Sequence, residues 1–112
     1  MKNVLDELWV EIEGYTNYVV SNYGEIVNSN TNRALSAKPD SKGYPKINLC
    51  YNGLKDTRYV HRLVAEAFLA DYDEHFEVEH IDENKTDCSV RNLRVGKKKA
   101  RRSNRVNTLL SV

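Results

Sequence analysis

The stretch Phe76-Glu77-Val78-Glu79-His80-Ile81-Asp82-Glu83-Asn84-Lys85, followed by Thr86-Asp87-Cys88-Ser89-Val90-Arg91-Asn92-Leu93-Arg94-Val95-Gly96, decides the fold. Residues 76–80 alternate apolar and polar side chains and end at a histidine, as a half-buried strand does. The polar run from Asp82 to Asn92 reads as a loop. Leu93-Arg94-Val95 is a second short strand, closed by Gly96. Lys97 to Leu110 contains neither Gly nor Pro and reads as a helix with late apolar contacts at Val106, Leu109 and Leu110. The order is strand, long loop, strand, helix.

Upstream, Ile47, Leu49 and Tyr51 alternate with Asn48 and Cys50, and Asn52-Gly53 supplies a two-residue type I′ turn before Leu54 to Val60 runs back. Val60, Leu63, Val64, Ala67 and Phe68 then fall at helical spacing, with Arg62 and Glu66 on the other face. His61 lies beside that apolar stripe and reads as structural. His75, after an acidic run, receives no role. In the first third, Trp9 to Ile12 and Tyr18 to Ser21 carry strand-forming residues. Gly24 allows Tyr18 to Ser21 and Glu25 to Val27 to form a hairpin, and residues 28 to 43 read as loop. The fold class is α+β, with a strand and turn module over 1–43 and a second domain over 44–112.

Net charge is +1, but its distribution is uneven. Residues 1 to 87 hold nine Lys and Arg against all 16 Asp and Glu, a balance of −7, whereas residues 88 to 112 hold eight basic side chains and no acidic one. A basic segment on an acidic body fits a tethered polyanion-binding element, and equally a solvated tail. Cys50 and Cys88 form no Cys-x-x-Cys pair, which excludes a Cys-pair zinc site and suggests no disulfide framework. The stretch Met1 to Leu8 carries Lys2, Asp6 and Glu7 and no apolar run long enough for a signal peptide or membrane span, so a reducing cytoplasm is the expected setting.

A metal-dependent phosphodiesterase needs a hard-cation site and a base, and His80 beside Glu79 and near Asp82 offers that pairing. Taken together, Val60 to Phe68, Val78 to Lys85 and Asn92 to Gly96 resemble the HNH homing endonucleases of phages and group I introns, including the 12-residue spacing from His80 to Asn92. Trp9 to Ile12, Gly14-Tyr15 and Tyr18 to Gly24 resemble the NUMOD-like module that often precedes this nuclease. The resemblance implies a ββα-metal motif with His80 as the water-activating base and Asn92 holding the loop so that the histidine is aimed. It implies structural roles for His61, Asp82 and Asn84, a Mg²⁺ or Mn²⁺ ion, and double-stranded DNA as partner. No zinc finger is expected.

Two positions depart from the family pattern. Glu79 stands where Asp or Asn usually precedes the base, and Arg101 stands where an Asn or His on the final helix completes the metal site. A guanidinium cannot ligate a cation. Three readings of position 101 are open: its charge replaces the metal and retains DNA binding without cleavage, Asn104 one helical turn on supplies the oxygen, or Glu79 and water hold the ion alone. Lys97, Lys98, Lys99, Arg101, Arg102 and Arg105 supply candidate phosphate contacts in each case. The functions expected are a nuclease that nicks or cuts duplex DNA, a family member that binds DNA without cutting, or a phage-encoded protein that binds a host protein.

Overall fold

The computed structural model describes residues 7–99. Three small antiparallel sheets surround one helix. β1 (Trp9–Ile12), β2 (Tyr15–Ser21), β3 (Ile26–Asn28) and β4 (Arg33–Ala34) form a sheet in that order. β5 (Lys38–Pro39), β6 (Pro45–Tyr51) and β7 (Leu54–Tyr59) form the second, and β8 (Phe76–His80) pairs with β9 (Leu93–Lys98) in the third. The helix α1 (Val60–Phe68) follows β7 without a gap. No helix among the described residues is long and apolar enough to cross a membrane.

The hairpins follow their turn chemistry. Asn52 and Gly53 both take positive φ, 53° and 78°, as a type I′ turn requires, and pair Tyr51 with Leu54. Alternation along β6 buries Ile47 and Leu49 and exposes Asn48 and Cys50. At the β2–β3 reversal Gly24 sits at φ +89°, and a side chain there would also meet the Cys88 backbone 3.1 Å away.

The helix buries Val60, His61, Leu63, Val64 and Ala65 at the centre of the molecule. Leu63 and Val64 join Val20 and Ile26 of the first sheet, Ile47 and Leu49 of the second, and Val78 and Leu93 of the third in one apolar cluster. Each such side chain contributes about 1.5–3 kcal/mol on burial, so all three sheets depend on α1 for their stability. Between sheets, the Tyr15 hydroxyl donates to Asp56, and the Tyr18 hydroxyl accepts from the Cys50 amide at 3.2 Å.

The structure differs from the sequence reading in two places. Residues 28 to 43 are not wholly loop, because two-residue strands β4 and β5 fall within them. Gly96 does not close the last strand either: β9 continues through Lys97 and Lys98, so these two residues are not the start of a helix. The reason lies in the pairing with β8, which extends to Phe76 opposite Lys98 across a bulge and is prolonged by the Lys99 amide donating to the His75 carbonyl at 2.7 Å. The remainder of the expected helix lies outside the described residues.

Candidate active site

His80 is the last residue of β8 and stands at the mouth of the polar loop that joins β8 to β9. That loop is built around Asn92, which is 7% exposed. The Asn92 Oδ1 accepts from the Asp82 amide at 3.1 Å, its Nδ2 donates to the Asp87 carbonyl at 2.9 Å, and its own carbonyl accepts from the Ile81 amide at 2.7 Å. One side chain thus ties the start of the loop, at Asp82, to its middle, at Asp87. Asp82 and Asn84 shape the turn after His80: Asp82 Oδ1 accepts from the Asn84 amide at 2.8 Å, and Asn84 Oδ1 accepts from the amide and hydroxyl of Thr86. These amide contacts, first that of Asn84 and then the Asn92 side chain, hold the Asp82 carboxyl below its usual pKa.

The His80 ring is half-buried against two others, 5.0 Å from His61 and 5.9 Å from Tyr44 between centroids. Burial lowers its pKa, opposed by Asp82 and Asp87 and assisted by Lys85. The imidazole is therefore neutral at pH 7, as a proton acceptor must be. His61, the structural histidine of the sequence reading, is buried between Tyr44, Tyr59 and His80, and its Nδ1 has no hydrogen-bond partner. Burial pushes its pKa down to about 4, with further lowering by His80 and Arg62.

Between pH 6.5 and about 4 the unfolded chain binds a proton at His61 that the folded chain refuses, so stability falls as pH falls through that window. The loss reaches as much as about 3 kcal/mol. Urea unfolding of wild type and His61→Gln at pH 7 and pH 4.5 measures it, and the variant should lose less stability on acidification.

The cleft in front of His80 encloses about 430 Å³ and is lined by Tyr44, Glu79, Glu83, Lys85 and Arg94 among others. Lys85 lies 4.7 Å from the Tyr44 ring centroid and donates to the Lys42 carbonyl. Glu79 does not stand free in the cleft: Arg94, its cross-strand partner, donates from Nε to its Oε1 at 3.0 Å. Its carboxylate also covers Gly96, where an added Cβ would fall 2.3 Å from Oε2. Gly96 thus marks a close approach rather than a strand end.

Whether these residues suit a hard cation can be tested on the donors present. Glu79 offers the right oxygen chemistry, but one oxygen is taken by a guanidinium, and no group of three or more His, Cys, Asp or Glu among the described residues could hold a metal. The described residues do not complete a metal site. Arg101, Asn104, Arg102 and Arg105 lie outside them. Lys97, Lys98 and Lys99 are exposed, and the last two line a separate recess of about 660 Å³ with Arg58, Arg62, Tyr72, Glu74 and His75.

Sequence reasoning missed Tyr44, Lys85, Cys88 and Arg94. Tyr44 is placed by the Asp40 turn, in which Asp40 Oδ1 accepts from the Lys42 and Tyr44 amides while Oδ2 accepts from the Tyr59 hydroxyl. The Asp-Ser-Lys-Gly pattern at 40–43 signals that turn, but not what it carries. Arg94 opposite Glu79 follows from the strand register alone.

Comparison with known proteins finds two family models along the chain: an HNH endonuclease model matches residues 58–102, and the NUMOD4 motif matches residues 7–50. The DNA endonuclease I-HmuI of Bacillus phage SP01 is 39% identical over 87 residues, covering 77% of this chain and 50% of that protein. The H-N-H endonuclease F-TflII of Escherichia phage T5 is 34% identical over 84 residues, covering 73% and 44%. A solved structure concerned with DNA binding and cleavage by the HNH homing endonuclease I-HmuI superposes with a TM-score of 0.75 at 34% identity, over 93% of this chain and 58% of that one. The chain spans about half the length of the curated relatives it matches.

Proposed function

We propose that this chain, a member of the HNH endonuclease family that carries a NUMOD4 motif and is homologous to the phage homing endonuclease I-HmuI, binds duplex DNA and hydrolyses one of its phosphodiester bonds with His80 as general base. The observation that carries the reading is the setting of His80. Its ring is neutral, fixed at a strand end by a loop that Asn92 clamps, and faces a cleft flanked by the cations Lys85 and Arg94. A water deprotonated there would meet a phosphate drawn in by those two charges.

HNH nucleases generally use a divalent metal, which supplies Lewis-acid stabilisation of the phosphate; Mg²⁺ or Mn²⁺ suits carboxylate and amide oxygens. Glu79 is the residue proposed to offer an oxygen, on release from Arg94. Purified protein incubated with supercoiled plasmid and either ion provides the direct test, read as conversion to the relaxed form.

A second reading, binding without cleavage, is favoured by the Glu79–Arg94 pair together with the arginine at position 101. Intact plasmid under both ions, with shifted mobility on a gel, would select it.

Both readings require the basic segment to dominate affinity. Replacing Lys97, Lys98 and Lys99 by Gln removes up to three phosphate contacts, and each loss should reduce the slope of log affinity against log salt by about 0.9 on duplex DNA. Discrimination between DNA sequences should change little, because phosphate contacts do not read bases. Fluorescence anisotropy over a salt series is the measurement. An unchanged slope would move the ligand of this segment from DNA to a protein, such as one of a phage host.

A further inference from the structure

Beside His80, and not among the residues that line the cleft, lies Cys88. Its side chain is buried, with Sγ 3.6 Å from the Lys85 carbonyl oxygen and 3.8 Å from His80 Nε2. Both distances lie within reach of sulfur hydrogen bonds, which are longer than those of oxygen because the sulfur atom is larger.

We infer that Cys88 is a positioning residue for His80: its S–H donates to the Lys85 carbonyl while its sulfur accepts from His80 Nε2–H, which leaves the Nδ1 lone pair for the cleft. The inference rests on the reading of His80 as the base. A neutral imidazole has one donor and one acceptor nitrogen, and whichever nitrogen holds the proton cannot accept another. If the thiol instead donated to Nε2, the lone pair of the base would be spent on a buried sulfur, and the Lys85 carbonyl would face only sulfur lone pairs. The proposed arrangement uses every group once.

Two further observations give the sulfur a fixed position and a fixed charge. Burial raises the thiol pKa to about 11, so the group is a thiol and carries the proton it donates. The Cys88 backbone is seated against the first sheet, where the Val90 amide donates to the Asn22 carbonyl at 2.8 Å and the space at Gly24 is too tight for a Cβ. The β2–β3 turn of the N-terminal module therefore braces the base of the second module through Cys88. This gives the NUMOD4 region a part in aiming His80, in addition to whatever contact it makes with DNA.

The test reads the ring directly. The full chain, labelled with ¹⁵N-histidine and free of DNA and metal, is studied by long-range proton–nitrogen NMR at pH 7.5. In wild type, His80 Nε2 should resonate as a protonated nitrogen and Nδ1 as an unprotonated one, with a resolved Nε2–H signal sheltered from water. In Cys88→Ala that signal should be lost to exchange and the two nitrogens should move toward averaged shifts, with His61 unchanged. Cys88→Ser, which keeps a donor and an acceptor, should retain a Nε2–H signal at a different shift. A proton on Nδ1 in wild type overturns the inference, as does a His80 spectrum unaltered in Cys88→Ala. If the alanine variant does not fold, a Nε2–H shift in Cys88→Ser identical to wild type is the overturning result. Because no DNA is present, the outcome stands apart from plasmid nicking: a protein that nicks with Nδ1 protonated refutes the positioning role alone, and one that never nicks refutes the nuclease reading alone.

Discussion

His80→Ala is expected to slow metal-dependent plasmid nicking by about 10²–10⁴-fold, the usual contribution of a positioned general base, while DNA affinity stays within about twofold of wild type. The expectation follows from where the ring sits. It packs on Tyr44 and His61 at the head of the loop, and the cations proposed to attract phosphate are other residues, Lys85 and Arg94 within the cleft and Lys98 and Lys99 in the separate recess. On the proposed mechanism, removing the imidazole would withdraw a proton acceptor that acts in the transition state and leave the charges proposed to bind the ground state. The lowered pKa adds a second readout. Because burial lowers the His80 pKa from its ordinary value, the acid limb of the rate profile should lie at lower pH than that of an exposed imidazole. Nicking by the alanine variant at the wild-type rate would remove His80 from the mechanism.

Much of this site could be read from local pattern, and the parts that could not share one physical character. Asn52-Gly53 announces its hairpin because a type I′ turn needs two positive φ angles, and α1 is visible because its apolar positions recur at helical spacing. His80 at a strand end and Asn92 before the next strand were equally legible. The two-residue strands β4 and β5 were not, because a period of two cannot be recognised over two residues. Gly96 was misread for a different reason. A glycine in a strand can mark a stop or a close approach, and only the cross-strand register that brings Glu79 over it decides between them. The contact of Arg94 with Glu79 depends likewise on the β8–β9 register, and that of Cys88 with His80 on how the long loop closes, neither of which the spacing of residues determines. The six residues read as DNA contacts divide in the same way: Lys97, Lys98 and Lys99 lie on or beside an extended strand, and Arg101, Arg102 and Arg105 fall outside the described residues.

The loop closure carries a second large expected effect, on stability. In Asn92→Ala the Asp82 amide loses its acceptor and the Asp87 carbonyl loses its donor. Asn92 is buried, but Asp82 is exposed and Asp87 half-buried, so water takes up part of the loss. At about 1 kcal/mol for each hydrogen bond, plus the space left by a buried side chain, the variant should lose on the order of 2–3 kcal/mol, a large share of what a chain of this size has to spare. Asn92→Asp separates shape from chemistry. It keeps the acceptor for Asp82 but puts a carboxylate oxygen against the Asp87 carbonyl, two acceptors face to face, and it should destabilise by a comparable amount despite being nearly isosteric. The backbone bond from the Ile81 amide to the Asn92 carbonyl survives in both variants, so β8 and β9 should remain paired while the loop between them loosens. Amide hydrogen exchange then gives the sharpest check, with protection lost at Asp82 but kept at Glu79 and Arg94, the next hydrogen-bonded pair along the ladder. Equal protection along the whole loop in Asn92→Ala, with unchanged unfolding by urea, would show that the asparagine is a turn residue and that His80 is aimed by something else.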